Sequence, residues 1–189
     1  LIVDFGADTV EISVLAQGGV VTSRLLKIGG NTMNEVICES VKEKCRLLIG
    51  MKTAEALKLE LGSALNTVSS SKNILGRDMI SGLPAEVSVS SKIVCEPIQE
   101  LLHRVIYKIN GIFEHTPPEV LRSIQNGGMI VTGEGSRLSN LRMYLERELG
   151  IPVVMSESPD ESVVRGLGAI MAQPKLSGMA FSVKEAIFS

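Results

Sequence analysis

The sequence predicts an α/β sheet domain interrupted by a smaller α+β insert. Three observations lead there. The 189-residue chain is 44% hydrophobic but only 3% aromatic and has no Trp. Val, Ile, Leu, Ala and Met must therefore fill its core, which is the palette of helices packed on a sheet. It opens with three runs rich in β-branched residues and closes with alternating strand and helix patterns. Between them lies a polar segment, Ser69 to Ser91, punctuated by Gly and Pro.

Taken in order, LIVDF, VEISVLA and VVTSRLLKI are separated by GAD and QGG, which is turn chemistry, so they read as a three-stranded meander. Asn31, after Gly29 and Gly30, is the expected N-cap of a helix in which Met33, Val36, Ile37, Val41 and Cys45 recur at helical spacing. Thr53 starts a second helix, TAEALKLELGSAL, with Ala54, Leu57, Leu61 and Leu65 on one stripe. The segment SSSKNILGRDMISGLPAEVSVSS alternates in AEVSVS and reads as two short strands around a turn. Ile93 to Phe113 is a long amphipathic helix with Pro97 expected in its first turn, where a missing N–H costs nothing. HTPPEVLRSIQNGG is a short helix opened by Pro and closed by Gly, and GMIVTGEGSRLSNLRMYLERELGIPVV gives strand, glycine turn, helix and strand. Pro159 to Ala172 is the last expected helix.

Nineteen basic against twenty-one acidic side chains leave a formal charge of −2. No Lys/Arg block is interleaved with aromatics, so nucleic acid is not an expected partner. Cys38, Cys45 and Cys95 form no CxxC pair, and His103 and His115 lie too far apart in sequence to suggest a metal site. The thiols read as reduced core residues. No apolar run reaches the roughly 18 residues of a membrane span. Leu1 enters a strand pattern directly, which leads to the expectation of a fragment cut from a longer protein. Met143, Met155, Met171 and Met179 read as core fillers, and the acids and bases of RMYLERELG as an exposed helix face.

Three glycine turns are expected at element ends: DFGADT, TGEGS at 132–136, and RGLGA at 165–169. In the first, Gly6 can present an amide to an oxyanion and Thr9 a hydroxyl, while Asp4 can organise a cation through water. The second leads from the MIVT strand into a helix, so its amides and that helix's dipole can face an adenosine or phosphate group.

The set DFGADT, KIGGN, AEALKLELGSA, an insert with GLP, PPEVL, MIVTGEGSRLSNL, GIPV and VRGLGAIMA resembles the C-terminal half of the bacterial actin-like proteins of the MreB/Mbl type, in order and spacing over about residues 1–172. The broader superfamily includes actin, the 70-kDa chaperones and the sugar kinases. The resemblance implies an RNase H-like (actin-like ATPase) fold. Residues 1–30 and 116–189 would form its larger subdomain, and 31–115 an inserted smaller one that makes filament contacts. It implies nucleotide contacts from Gly6, Ala7, Asp8 and Thr9 in the second phosphate loop, from Glu55 and Lys58 beside the base, and from Gly133, Glu134, Gly135 and Ser136 in the adenosine turn. Asp4 and Asp8 would lie near the metal. VRGLGA matches the helix near the interdomain hinge.

By the same resemblance the cofactors are ATP and Mg2+, and the chemistry is slow phosphoanhydride hydrolysis that gates filament assembly. The water-orienting residue is expected on the other half of the cleft, so no catalytic residue is assigned in this chain. The partners implied are further copies of the protein and the cell-wall elongation machinery at the inner membrane. The implied location is the cytoplasm, with the filament associated with the membrane. The sequence departs from the family pattern where Ala7, Asp8 and Glu134 stand in place of glycines, and a carboxylate facing phosphate is repelled unless a metal lies between them. Two other readings remain open: a chaperone- or sugar-kinase-type ATPase of the same fold, and a nucleotide-independent interaction module.

Overall fold

A computed structural model describes residues 1–65 and 69–173. The expected meander is β1 (Ile2–Phe5), β2 (Val10–Ala16) and β3 (Gly19–Leu26). The expected close is β7 (Met129–Thr132), α5 (Leu141–Leu149), β8 (Val153–Met155) and α6 (Ser162–Ala172). These join in one five-stranded sheet of order β3-β2-β1-β7-β8. β1 pairs antiparallel with β2 and parallel with β7, so the start of the chain sits at the centre of the sheet, with its side chains Val3 and Phe5 buried.

Everything between β3 and β7 is an excursion from that sheet. It comprises α1 (Gly30–Cys45), β4 (Leu47–Leu48), α2 (Met51–Leu61), β5 (Ser71–Asp78), β6 (Pro84–Ser90), α3 (Ser91–Glu114) and α4 (Pro118–Gly127). β4, β5 and β6 form a second, three-stranded antiparallel sheet. α1 packs on α2 and α3 through Met33, Ile37 and Val41, against Ala54, Leu57, Val94 and Ile98. Burying such aliphatic side chains contributes about 1.5–3 kcal/mol each, which holds the helices in place.

Several local expectations are corrected. The N-cap of α1 is Gly29, not Asn31, which lies in the helix's first turn. α2 starts at Met51 rather than Thr53 and ends before Leu65. α3 begins at Ser91, so Pro97 lies inside the helix rather than in its first turn. α6 starts at Ser162, not Pro159; RGLGA lies inside it, in keeping with the expected last helix and not with the reading of RGLGA as a glycine turn. Among the methionines, Met155 packs on the core, but Met143 is exposed and Met171 is 88% exposed. Met179 lies outside the described residues. In α5, Arg142–Glu146 and Arg147–Glu148 form the exposed near-neighbour pairs expected of RMYLERELG.

Candidate functional site

The strand-turn-strand between β1 and β2 folds back on itself: the Gly6 amide donates to the Thr9 carbonyl at 2.8 Å. That amide is therefore already used, and Gly6 cannot present it to a ligand as expected. The turn's carbonyls face α1 instead. Gly30 N donates to Gly6 O at 3.1 Å and Asn31 N to Ala7 O at 2.7 Å, so the turn satisfies two of the orphan donors at the start of α1. Such close packing requires Gly29, because a Cβ there would lie 2.4 Å from the Ala7 carbonyl oxygen. The donors left over are the amides of Ala7, Asp8 and Thr9, which have no acceptor among the described residues.

Asp8 is exposed, and its Oδ1 accepts a 2.8 Å hydrogen bond from Asn31 Nδ2. The second acid in DFGADT thus ties the turn to α1. Asp4 lies beneath the other glycine turn. A Cβ on Gly133 would fall 2.2 Å from Asp4 Oδ1 and 2.4 Å from the Phe5 carbonyl, and Gly133 has φ +81°. Both facts demand glycine there. Burial, and then Glu11 across the strand pair, raise the Asp4 carboxyl above the ordinary carboxylate range.

After Gly133 the chain makes a single 3-10 turn, Glu134–Arg137, and α5 begins only at Leu141 after Asn140 in the left-handed conformation. The helix dipole expected directly behind TGEGS is therefore displaced from it. Ser136 is buried. Glu134 and Gly135 remain open to a cavity of about 150 Å³, which Gly6 and Ala7 line from the first turn and Glu55 and Lys58 from α2. Glu55 and Lys58 are three residues apart, which places them on one helix face. Lys58 Nζ donates to the Gly30 carbonyl at 3.0 Å. Burial lowers its pKa, while Glu55 and Glu134 oppose that shift.

The structure therefore brings Gly6, Ala7, Glu55, Lys58, Glu134 and Gly135 to one cavity. It places Asp4, Asp8, Thr9, Gly133 and Ser136 around that cavity without lining it. Asn31, Met33, Arg137 and Leu138 also line it. Of these, Asn31 stood in KIGGN and Arg137 and Leu138 in MIVTGEGSRLSNL, whereas Met33 read only as a residue of the helical stripe. Among the described residues no group of three or more His, Cys, Asp or Glu side chains is gathered that could hold a metal ion.

A central five-stranded sheet entered by a phosphate-loop-like turn, with a second small sheet inserted after its third strand, defines an α/β protein of the RNase H-like, actin-like class. The chain belongs to the MreB/Mbl protein family, whose model matches residues 1–178. It is 36% identical over 172 residues to the cell shape-determining protein Mbl of Bacillus cereus, covering 90% of this chain and 52% of that protein. It is 35% identical over 179 residues to the cell shape-determining protein MreB of Escherichia coli K12, covering 94% and 52%. The chain thus spans about half the length of the curated relatives it matches. Among solved structures it superimposes on MreB5 of Spiroplasma citri bound to AMPPNP with a TM-score of 0.87 and 28% identity, covering 91% of this chain and 52% of that one. It also superimposes on a MamK double helical filament, with a TM-score of 0.78 and 22% identity over 91% of this chain and 54% of that one; at that identity the likeness concerns the fold alone. No described helix is long and apolar enough to cross a membrane.

Proposed function

We propose that this chain supplies one side of the ATP site of an actin-like protein that polymerises into filaments controlling rod cell shape and cell-wall synthesis. The observation that carries this reading is the convergence of the first turn, α2 and the 134–139 turn on one cavity. Their roles divide by chemistry. The free amides of Ala7 and Asp8 are the phosphate donors, and the Thr9 hydroxyl flanks them. Glu55 and Lys58 on α2, with Glu134 and Gly135 opposite, border the nucleoside, while Gly133 and Ser136 hold the turn's shape. The nucleotide-bound S. citri MreB5 structures, one with AMPPNP and one with ADP, support the reading.

Mg2+ fits this donor set as an ion held mainly by phosphate and water, the usual mode for that cation. One carboxylate oxygen of Asp8 has no partner among the described residues. Asp4 lies at the end of β1, where an indirect contact through water is in keeping with its packing. We further assign residues 1–30 and 116–189 to the larger subdomain and 31–115 to the smaller, a division the two separate sheets support. The partners in this reading are further copies of the same protein and the cell-wall elongation machinery at the inner membrane. The location is cytoplasmic with filaments at the membrane.

The test is calorimetry of the chain with ATP and Mg2+, beside Lys58→Ala and Glu55→Ala. A ligand held on one face stays largely hydrated, so the expected dissociation constant is weaker than roughly one micromolar. Both variants should weaken binding further. Affinity that neither substitution changes would place the site elsewhere and overturn the reading, and sedimentation with and without ATP and Mg2+ reads out assembly separately.

A further inference from the structure

We propose that the outer edge of β3, with the groove it forms against α3, binds an extended acidic segment of a partner protein by strand addition. β3 is the last strand in its sheet and pairs only with β2 among the described residues. None of its residues is buried, whereas Val10, Ile12 and Val14 on β2 are fully buried. Val20 and Leu25 are 63% and 60% exposed. An eight-residue edge with exposed apolar side chains and no proline is the kind of edge that stand-alone sheets avoid.

On α3, Tyr107 lines the space shared with β3 and is 80% exposed, a large aromatic in a chain with only two Tyr and four Phe. The space between strand and helix is a groove of about 790 Å³, walled by Val21, Thr22 and Arg24 on one side and Tyr107, Lys108 and Ile112 on the other. A second groove, flanked by Leu25 and Arg104, adjoins the same tyrosine. Arg24, Arg104 and Lys108 line this surface, and none of them has an ion-pair partner among the described residues. Arg24 instead donates to the neighbouring Ser23 carbonyl at 2.9 Å. Glu114 is the one acid lining either groove, and the nearby Glu11 carboxylate accepts from the Ser13 and Ser23 hydroxyls.

Charge and geometry choose the occupant. A second copy of this chain docked edge to edge would bring the three cations against their own equivalents. A lipid surface would meet the cations but cannot enter a concave groove or pair the strand's amides and carbonyls. An extended peptide can do both: its backbone continues the ladder, alternate side chains face the groove, and acidic residues among them meet Arg24 and Lys108. Charge complementarity of this kind also selects against basic partners.

The test uses the isotope-labelled chain and a synthetic peptide of alternating Glu and Val, as long as β3. Its controls are the same peptide with Lys for Glu and the same peptide N-methylated on alternate residues. Saturable amide shifts confined to β3 and the Tyr107–Ile112 stretch are expected with the acidic peptide. Affinity should fall by at least about tenfold, or 1.4 kcal/mol, for each control and for the surface variant Arg104→Glu/Lys108→Glu. The peptide controls leave the protein unaltered, so they decide the matter even if that variant folds poorly. No saturable shift at millimolar peptide, or equal binding of the N-methylated form, overturns the proposal. Tighter binding to phosphatidylglycerol vesicles than to the peptide replaces it with a membrane surface, and a peptide-independent dimer with shifts at β3 replaces it with a second copy.

Discussion

The Ser40 hydroxyl of α1 donates to the Ile93 carbonyl of α3 at 2.8 Å. Ile93 lies four residues before Pro97, so its carbonyl is the one that loses its intrahelical donor to the proline ring. Ser40, only 7% exposed, replaces the missing N–H from a neighbouring helix. Ser40→Ala is expected to leave that acceptor unpaired in the helix interface and to cost about 1–3 kcal/mol. Pro97→Ala restores the helix's own donor, so the cost of Ser40→Ala should shrink in that background. Denaturant unfolding of the two single variants and the double variant measures the coupling. Additive effects would mean that the two residues do not compensate for each other.

Two glycines should respond to the same substitution with opposite signs. Gly29→Ala drives a methyl to 2.4 Å from the Ala7 carbonyl, a backbone atom that cannot yield without moving the first turn. The expected loss is roughly 1–3 kcal/mol, the usual range for overpacking. Gly111 lies inside α3 with nothing within 4 Å of an added Cβ, so Gly111→Ala should stabilise the protein by about 0.5–1 kcal/mol. Thermal melts at one pH check both. A neutral Gly29→Ala would show that the turn and α1 are less tightly joined than their hydrogen bonds imply.

Asp4 gives a pH dependence opposite in sign to that of the paired surface acids. Its folded-state pKa is raised from 3.8, by burial first and then by Glu11. Between 3.8 and the raised value the folded chain holds this proton more tightly than the unfolded chain, so stability falls as pH rises through that window. Above it the penalty is complete. Asp4→Asn should therefore be more stable than the wild type at neutral pH, and the advantage should close as pH drops below 3.8. Glu146, held below its ordinary value by Arg142, contributes in the reverse sense and loses its contribution on acidification. Stability curves of wild type and Asp4→Asn across this range decide the point, and a gain independent of pH would remove Asp4's charge as its cause.

Much of this fold is legible in the sequence because its signals are local. The three opening strands are β-branched runs broken by GAD and QGG, and Glu55 and Lys58 reach one cavity because their spacing puts them on one helix face. What the sequence hides depends on contacts between distant segments. β4 has two residues, Leu47 and Leu48, too few to show a period, and exists because Arg77 and Asp78 pair with them. Gly133 reads as a ligand-facing glycine, yet its nearest constraint is the Asp4 side chain and Phe5 carbonyl beneath it. RGLGA reads both as a glycine turn and as part of the last expected helix, because glycines punctuate most chains, and α6 runs straight through it. Met143 and Met171 are solvent-exposed even though their chemistry suits a core.

Asp8 yields the last prediction, since its charge and its hydrogen bond to Asn31 can be separated. Asp8→Asn keeps an acceptor oxygen for Asn31 Nδ2 and removes the charge, whereas Asp8→Gly removes both. If the carboxylate mainly repels a bound phosphate, Asp8→Asn should tighten nucleotide binding by about 1–2 kcal/mol at an effective dielectric near 20, with or without Mg2+. Asp8→Gly should gain less, because the turn then loses one of its ties to α1. If the carboxylate instead organises Mg2+, both variants should bind nucleotide more weakly, and only when the metal is present. We expect the first pattern. Asp8 is already tied through one oxygen to Asn31, and Glu134 brings a second acid to the neighbouring turn where the family pattern has glycine. Nucleotide affinities of wild type and both variants, each measured with Mg2+ and with a chelator, distinguish the cases. Weakening confined to the Mg2+ arm would establish Asp8 as a metal-organising residue and reject the repulsion account.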